Sequence, residues 1–516
     1  MMYPSVANGT ELKEPSACSI QGARASRPFG WLARFSQSPK SSFTAVPFPS
    51  VVRALWLAVI AFSIFPISAS RADDAKETKN ITREQRTEWW RDGKFGMFIH
   101  WGLYAIPAGT WKEKVYKSGY SEWIMFSSKI PVETYRQLAG QFNPEKFDAK
   151  AWSELAHDAG MTYMVLTAKH HDGFSMYDSA LTDYDVTDAT PFARDVTGEL
   201  ASACRETGLR FGCYYSVDRD WFRPTGPGNR YKQSNTWDYP QSTHEDFDRY
   251  FEDFAKPQVE ELLIKYQPVL LWFDGISMKS DKQVESLYNS IRKLRPQVVL
   301  NSRIHHCTPP EKIPPPYCDY ISTGDNEIAD SHLGFEWENP GSMNTSFGYN
   351  KHDHQWVSTG KIITNLVDTV SKDGNYLLNV GPTAEGLIPE PCITRLREVG
   401  AWLEVNGDAI YGTTSWHTFA ETATVTDADP IEVCYTRKKN AVFASCLTWP
   451  GGKLTLKQLG QAALEGRQIE SVSMLGSDHK IEWSQTPAGL QLSVPEQPTS
   501  KHVWVYRIQL KPNKEE

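Results

Sequence analysis

Asp274 closes the run Val269-Leu270-Leu271-Trp272-Phe273 and is followed by Gly275. An unbroken apolar run stopped by a turn residue suits a strand buried on both faces. A carboxylate at the end of such a strand stands where barrel and open α/β folds do their chemistry. By itself Asp274 would serve equally well as a helix cap or a turn residue. It has company, however. Other apolar runs also end in polar residues, and these tips collect His100, Trp101, His170, His171, Asp172, Tyr214, Tyr215, Trp272, Arg303 and Asp325. Carboxylates, imidazoles and a guanidinium offer fixed donors and acceptors to hydroxyl groups, and an indole covers an apolar ring face, so the set suits a polyhydroxylated ring. A metal site is the rival chemistry, since His170-His171-Asp172, His305-His306 and His352-x-His354 contain ligand types. Adjacent strand residues point to opposite faces, which argues against neighbouring histidines sharing an ion. His-Glu-x-x-His and compact zinc spacings are absent.

The elements that would carry these tips alternate along the chain. Thr82 to Arg91 reads as a short lead-in helix, and Phe95 to Ile99 as a strand ending at His100. Asp148 to Gly160 has apolar residues at helical spacing between a good N-cap and a good C-terminal glycine. Strands follow at Tyr163, at Arg210 to Ser216, at the Asp274 run, at Val298 to Arg303, at Tyr320 to Asp325 and at Asn375 to Pro382. Helices follow near Leu200 to Thr207, His244 to Tyr266, Gln283 to Leu294, Lys361 to Val370 and Pro389 to Val405. The segment between Asp325 and Lys361 reads as irregular. Strand, polar tip and helix recur seven or eight times, the pattern of a (β/α)₈ barrel or an open doubly wound sheet. Tips on nearly every strand favour the barrel, because an open sheet gathers them at its switch point. No Gly-x-Gly-x-x-Gly or Walker loop points to a nucleotide.

From about Ile410 the texture changes to short alternating runs between Gly, Lys and Pro turns, which predicts a C-terminal antiparallel β-sandwich packed directly on the barrel. Arg53, the apolar run Ala54–Ile67 and the small residues Ser68 to Ala72 form a secretory signal, preceded by a Ser- and Pro-rich preamble. The expected organisation is therefore preamble and signal over 1–72, barrel over 73–409 and sandwich over 410–516. The chain is expected to be exported to a periplasmic, extracellular or lysosome-like space, with no stable membrane insertion once the signal is removed. With 516 residues and a net charge of −8, composition gives no electrostatic case for nucleic acid. The eight cysteines lack metal-type spacing and do not form a disulfide framework.

Five segments carry a resemblance. They are Phe95-Gly-Met-Phe-Ile-His100-Trp101-Gly102, Tyr120-Ser-Glu122-Trp123, Ala168-Lys-His170-His171-Asp172-Gly173-Phe174, Leu271-Trp272-Phe273-Asp274-Gly275 and Asn375-Tyr-Leu-Leu-Asn379-Val-Gly381-Pro382. Together, and in this order, they resemble the motifs of the retaining α-L-fucosidases of glycoside hydrolase family 29. The resemblance runs from about Thr82 to the C-terminus and implies the same barrel and β-sandwich. It implies Asp274 as nucleophile. It also implies a fucose pocket lined by His100, Glu122, His170, His171, Tyr214 or Tyr215, Trp272 and Arg303, with Phe347 near the sugar methyl. The implied partner is a fucosylated glycan, and the implied reaction requires neither an ion nor an organic cofactor. Retaining hydrolysis needs one carboxylate to attack and one carboxylic acid to protonate the leaving oxygen, roughly 5–5.5 Å apart.

The sequence departs from the family pattern after Asp325. Gly324-Asp325-Asn326-Glu327 lacks the Thr-Pro of the Thr-Pro-Glu seen in many members and has a shorter spacer after Gly-Asp, and Trp337-Glu338 follows. Glu327 best matches the Thr-Pro-Glu carboxylate. Glu338 matches the Trp-Glu motif, and Asp325 offers a shorter arm. All three are candidates for the acid/base. A sugar-binding chain without turnover, or a glycosidase for another L-sugar such as an α-L-galactoside, is the alternative reading.

Overall fold

The seven strand-like runs of the first four hundred residues and one further segment form eight parallel strands. These are β1 (Phe95–Ile99), β2 (Tyr163–Lys169), β3 (Arg210–Ser216), β4 (Leu270–Asp274), β5 (Val299–Leu300), β6 (Ile321–Ser322), β7 (Trp337–Ser342) and β8 (Gly374–Val380). The architecture is taken from a computed structural model that describes residues 81–512 apart from 118, 225–232, 240–241, 276–279, 306–316 and 499. The expected signal segment falls outside the described residues. Each strand pairs in parallel with its neighbour in sequence, and β1 pairs with β8. A parallel bridge between Asn301 and Tyr320 joins β5 to β6 and closes the ring. This is the (β/α)₈-type barrel.

β7 lies in the segment that reads as irregular. Its sequence, Trp-Glu-Asn-Pro-Gly-Ser, contains two residues that ordinarily interrupt strands. Pro340 is tolerated because β6 pairs only with Trp337 and Glu338, so at Pro340 the ladder on that side has already ended. On its other side β7 pairs with β8 along its whole length.

Helices follow most strands: α2 (Ala149–Asp158), α3 (Val196–Thr207), α4 (His244–Lys265), α5 (Asp281–Leu294), α6 (Thr359–Ser371) and α7 (Glu390–Asn406). Among the described residues no α-helix lies between β5 and β6 or between β6 and β7. The ends of α2 show why the sequence signals work. The Asp148 side chain accepts from Ala151 N–H, and Gly160, at φ 77°, lets Gly160 N–H and Met161 N–H bond back to His157 and Ala156. α4 widens to a π-turn over Phe251–Ala255, just before Pro257, whose missing N–H cannot sustain the α ladder. A lead-in helix, α1 (Arg83–Gly93), is capped by Thr82 and Gln85 and stacks Trp90 on Tyr320, with ring centroids 4.4 Å apart.

Alternation along the strands separates two cores. Phe98, Val165, Tyr214, Leu270, Trp272, Val299, Tyr320 and Leu377 fill the barrel interior, while Met97, Leu166, Cys213, Tyr215, Phe273 and Leu378 face the helices. The last helix gives way at Asn406 to a sheet of eight antiparallel strands that begins with β9 (Thr414–Val425). β9 is long and bulged. It pairs with Ile431–Lys438 over most of its length and with Leu454–Leu456 at its end, so two layers share one strand and one core. The six described cysteines are buried free thiols.

Candidate active site

At the C-terminal end of the barrel the strand tips enclose a cavity of about 360 Å³, a volume in the range of small-ligand sites. β4 delivers Asp274 to it. Gly275, at φ 150°, turns the chain immediately afterwards; a side chain there would collide with Asp218, 2.5 Å away. Its N–H donates to Asp274 Oδ1 at 2.9 Å, Arg303 Nη1 donates to the same oxygen at 3.1 Å, and Tyr214 OH donates to Oδ2 at 2.8 Å. Burial pushes the Asp274 carboxyl up, but Arg303, Arg219 and the Tyr214 hydrogen bond outweigh it and hold the group below its ordinary pKa. Asp274 is thus kept as a carboxylate.

Arg303, on the short turn after β5, also donates through Nη2 to Asp325 Oδ1 at 2.9 Å and lies over the Trp272 ring. One guanidinium therefore clamps two carboxylates. Trp272 and Tyr214 stack at 5.5 Å between centroids, and His170 stacks on the other face of Tyr214 at 5.4 Å. Phe98 and Phe347 complete the apolar floor.

Three histidines enter the cavity. β2 is bulged between Thr167 and Lys169, and it ends at Lys169. Alternation therefore stops before His170 and His171, and both reach the cavity, with centroids 4.2 Å apart. The opposite-face argument does not hold for this pair, because neither residue is in the strand. Among the described residues, all the same, no three His, Cys, Asp or Glu side chains are grouped to hold a metal ion. Ser216 Oγ donates to Arg219 O and so accepts from His171 Nδ1 at 2.6 Å, which leaves Nε2 as an acceptor. Asn379 Nδ2 donates to Phe347 O, so its Oδ1 accepts from His100 Nδ1 at 2.7 Å. Burial lowers all three imidazoles, His100 to about 4. Neutral rings both donate and accept, which is what sugar hydroxyls require.

Glu122 comes from the 3₁₀ turn Ser121–Trp123, which Ser121 Oγ ties to Gly348 O and Tyr349 O at 2.8 Å each. Its Oε2 accepts from Gly348 N–H at 2.7 Å, and burial raises its carboxyl to about 7.

His100, Glu122, His170, His171, Tyr214, Trp272, Asp274, Arg303, Asp325 and Phe347 all line the one cavity. Tyr215 does not. It sits on the outer face of β3, donates to Gln258 Oε1 at 2.9 Å and lies under Lys169. Glu338 is sealed inside the barrel on β7, where Trp272 Nε1, Tyr320 OH and Tyr163 OH donate to it at 2.9, 3.0 and 2.7 Å. No sugar reaches it there. Glu327 is exposed and lies outside the cavity lining, with its side chain against Gly324. Sequence reasoning passed over Phe98, Arg219 and Gln233, which also line the cavity. The available signal for Arg219 was its place three residues beyond the Ser216 strand tip.

Two family models match the chain, α-L-fucosidase over residues 65–408 and the α-L-fucosidase C-terminal domain over 426–511. The chain belongs to the α-L-fucosidase family, glycoside hydrolase family 29. Its activity is hydrolysis of α-L-fucosidic bonds. Tissue α-L-fucosidase of Rattus norvegicus is 31% identical over 80% of this chain and 86% of its own length. Among solved structures, α-L-fucosidase isoenzyme 1 from Paenibacillus thiaminolyticus is 35% identical, with TM-score 0.72 over 83% of this chain and all of that one. The α-L-fucosidase of Thermotoga maritima in complex with fucose is 31% identical, with TM-score 0.67 over 84% of this chain and 98% of that one.

Proposed function

We propose that this fucosidase removes single terminal α-L-fucosyl residues from glycans by double displacement, with Asp274 as nucleophile and Asp325 as acid/base. The observation that carries the reading is the pairing of two unlike carboxyls on Arg303. Asp274 is deep and held ionised by three donors, whereas Asp325 is exposed at the cavity mouth. An exo-acting enzyme sends its leaving group toward solvent, so the proton must come from the mouth side.

In the first step Asp274 bonds to C1 as the C1–O bond breaks, and the leaving oxygen takes the proton of Asp325, which enters this step in its acid form, released from the Arg303 ion pair once the glycoside is bound. In the second, Asp325 takes a proton from water, whose oxygen displaces the Asp274 ester. The neutral histidines and Glu122 hold the ring hydroxyls, and the closed floor of Phe98, Trp272 and Phe347 admits one ring. Apolar contact at Phe347 supports a methyl rather than a hydroxymethyl substituent.

Wild-type hydrolysis of an aryl α-L-fucoside, followed by proton NMR, is expected to release the α-anomer first. Asp274→Gly is expected to lose several orders of magnitude in turnover, and azide is expected to restore it as the inverted β-fucosyl azide. Asp325→Ala is expected to slow a natural fucoside severely and fucosylation by an activated aryl fucoside far less, with azide giving a retained product. Initial release of the β-anomer overturns the mechanism. The same split in Glu327→Ala, with Asp325→Ala normal, moves the acid to Glu327. Fucose binding with no turnover at all would favour the non-catalytic alternative.

Export belongs to the same reading, supported by the Arg53 to Ala72 pattern. Secreted protein is expected to begin between Ala69 and Asp73 on N-terminal sequencing; a mature chain retaining Met1 would rule this out.

A further inference from the structure

Arg219 follows β3 on the loop that turns away from Ser216, and its side chain lines the same cavity. Its direct contacts are all neutral, and its charge reaches Asp274 only through space. Nη1 lies 3.3 Å from His171 Nε2, Nη2 donates to Gln233 Oε1 at 2.7 Å, and the guanidinium sits 5.0 Å over the Trp123 ring. Nε is buried and has no partner among the described residues. No carboxylate among the described residues lies within ion-pair distance of it. Three of its five N–H groups therefore lack an acceptor among the described residues.

The contrast with Arg303 is the informative point. Arg303 spends its charge on Asp274 and Asp325, and the third cavity carboxyl, Glu122, is satisfied by Gly348 N–H and the Ser346 hydroxyl. Every acidic group in the cavity thus has direct partners, and the Arg219 guanidinium, which acts on Asp274 only through space, is held in place by a ring, an amide and a neutral imidazole. A half-buried cation that acts on Asp274 only from beyond ion-pair distance is incompletely compensated in the empty site. Its geometry is nevertheless fixed, and a fixed guanidinium fits sulfate and carboxylate oxygens well.

We propose that Arg219, with Gln233 beside it, forms a subsite for an anionic substituent on the substrate, a sulfate ester or a carboxylate. The substituent sits on the fucose itself or on the sugar to which the fucose is attached. This rests on the fucosidase reading and adds the substrate class to it.

The test compares kcat/KM for matched substrates. One arm sets an aryl α-L-fucoside against its 2-, 3- and 4-O-sulfated forms. The other sets a fucosyl-uronic acid disaccharide against its methyl ester. Wild type is expected to prefer at least one anionic substrate over its neutral mate by roughly ten- to hundredfold, the worth of a charge-assisted hydrogen bond. Preference in the first arm puts the anion on fucose, and preference in the second puts it on the neighbouring sugar. Arg219→Gln is expected to erase the preference, and Arg219→Lys to keep part of it, with far-UV circular dichroism unchanged in both.

Wild type that turns over every neutral substrate as fast as its anionic mate overturns the proposal while leaving the fucosidase reading intact. So does Arg219→Gln that lowers neutral and anionic substrates alike, since that marks a role confined to Asp274. Wild type inactive on every substrate, neutral and anionic, removes the fucosidase reading itself.

Discussion

Glu122 illustrates how a site residue is set against the stability of the chain. Burial raises its carboxyl from 4.5 to about 7, so the folded chain keeps a proton that the unfolded chain releases between those values. Stability therefore falls as pH rises from about 4.5 to 7 and stays reduced above that. His100 acts in the opposite direction. Its imidazole is lowered to about 4, and stability is lost as pH falls from the ordinary histidine range through that value. Glu122→Gln keeps the shape of the protonated acid and removes the first effect. We expect the variant to gain on wild type by up to about 3 kcal/mol at pH 8 and by nothing at pH 4, while losing fucosidase activity. Urea unfolding at the two pH values reads the difference directly, and an equal gap at both would falsify the assignment.

At the scale of elements, two irregularities build the site. The bulge at the end of β2 takes His170 and His171 out of alternation and delivers both to the cavity. The Pro-containing β7 places Glu338 beneath Trp272, and Trp272 in turn carries Tyr214 and the Asp274 clamp. Glu338 is therefore a positioning residue. Glu338→Ala would strand three buried donors, those of Trp272, Tyr320 and Tyr163, so the expected cost is on the order of 3 kcal/mol in stability. Activity is expected to fall equally on natural and activated fucosides, because no proton is delivered from there. A Glu338→Ala chain with wild-type unfolding and a selective loss on natural fucosides would instead make Glu338 the acid.

The whole molecule is held together across a shared core. Leu403, Ala409 and Ile410 at the end of the barrel pack with Cys434, Phe443 and Val505 of the C-terminal sheet in one buried cluster. Hydrogen bonds cross the seam as well, from Trp402 Nε1 to Val503 O, from Thr436 Oγ1 to Ala409 O and from Ser415 N to Asp373. A chain ended at Ala409 uncovers this apolar face, which a soluble monomer does not tolerate at that size. We expect it to associate on size exclusion and to lose its cooperative thermal transition. A monomeric truncated chain melting at the full-length temperature would show the barrel to be independent.

The sequence by itself determined the parts governed by local periodicity and end chemistry. Continuous apolar runs gave the buried parallel strands, Asp148 and Gly160 gave the ends of a helix, and the strand tips gathered Asp274, His100, Trp272 and Arg303. Side-chain direction where the pattern breaks was decided only by tertiary structure. Tyr214 and Tyr215 are chemically equal in the sequence, and the closed barrel sends one to Asp274 and the other to Gln258. β7 was hidden because Pro340 and Gly341 are poor strand residues, and it is held by pairing with β8 rather than by its own propensity. The acidic residues after Asp325 could be ranked by motif but not by depth. Depth depends on which loop lies over the cavity, and that is a property of the whole ring: Glu338 is sealed under Trp272, Glu327 faces solvent, and Asp325 shares Arg303 with the nucleophile.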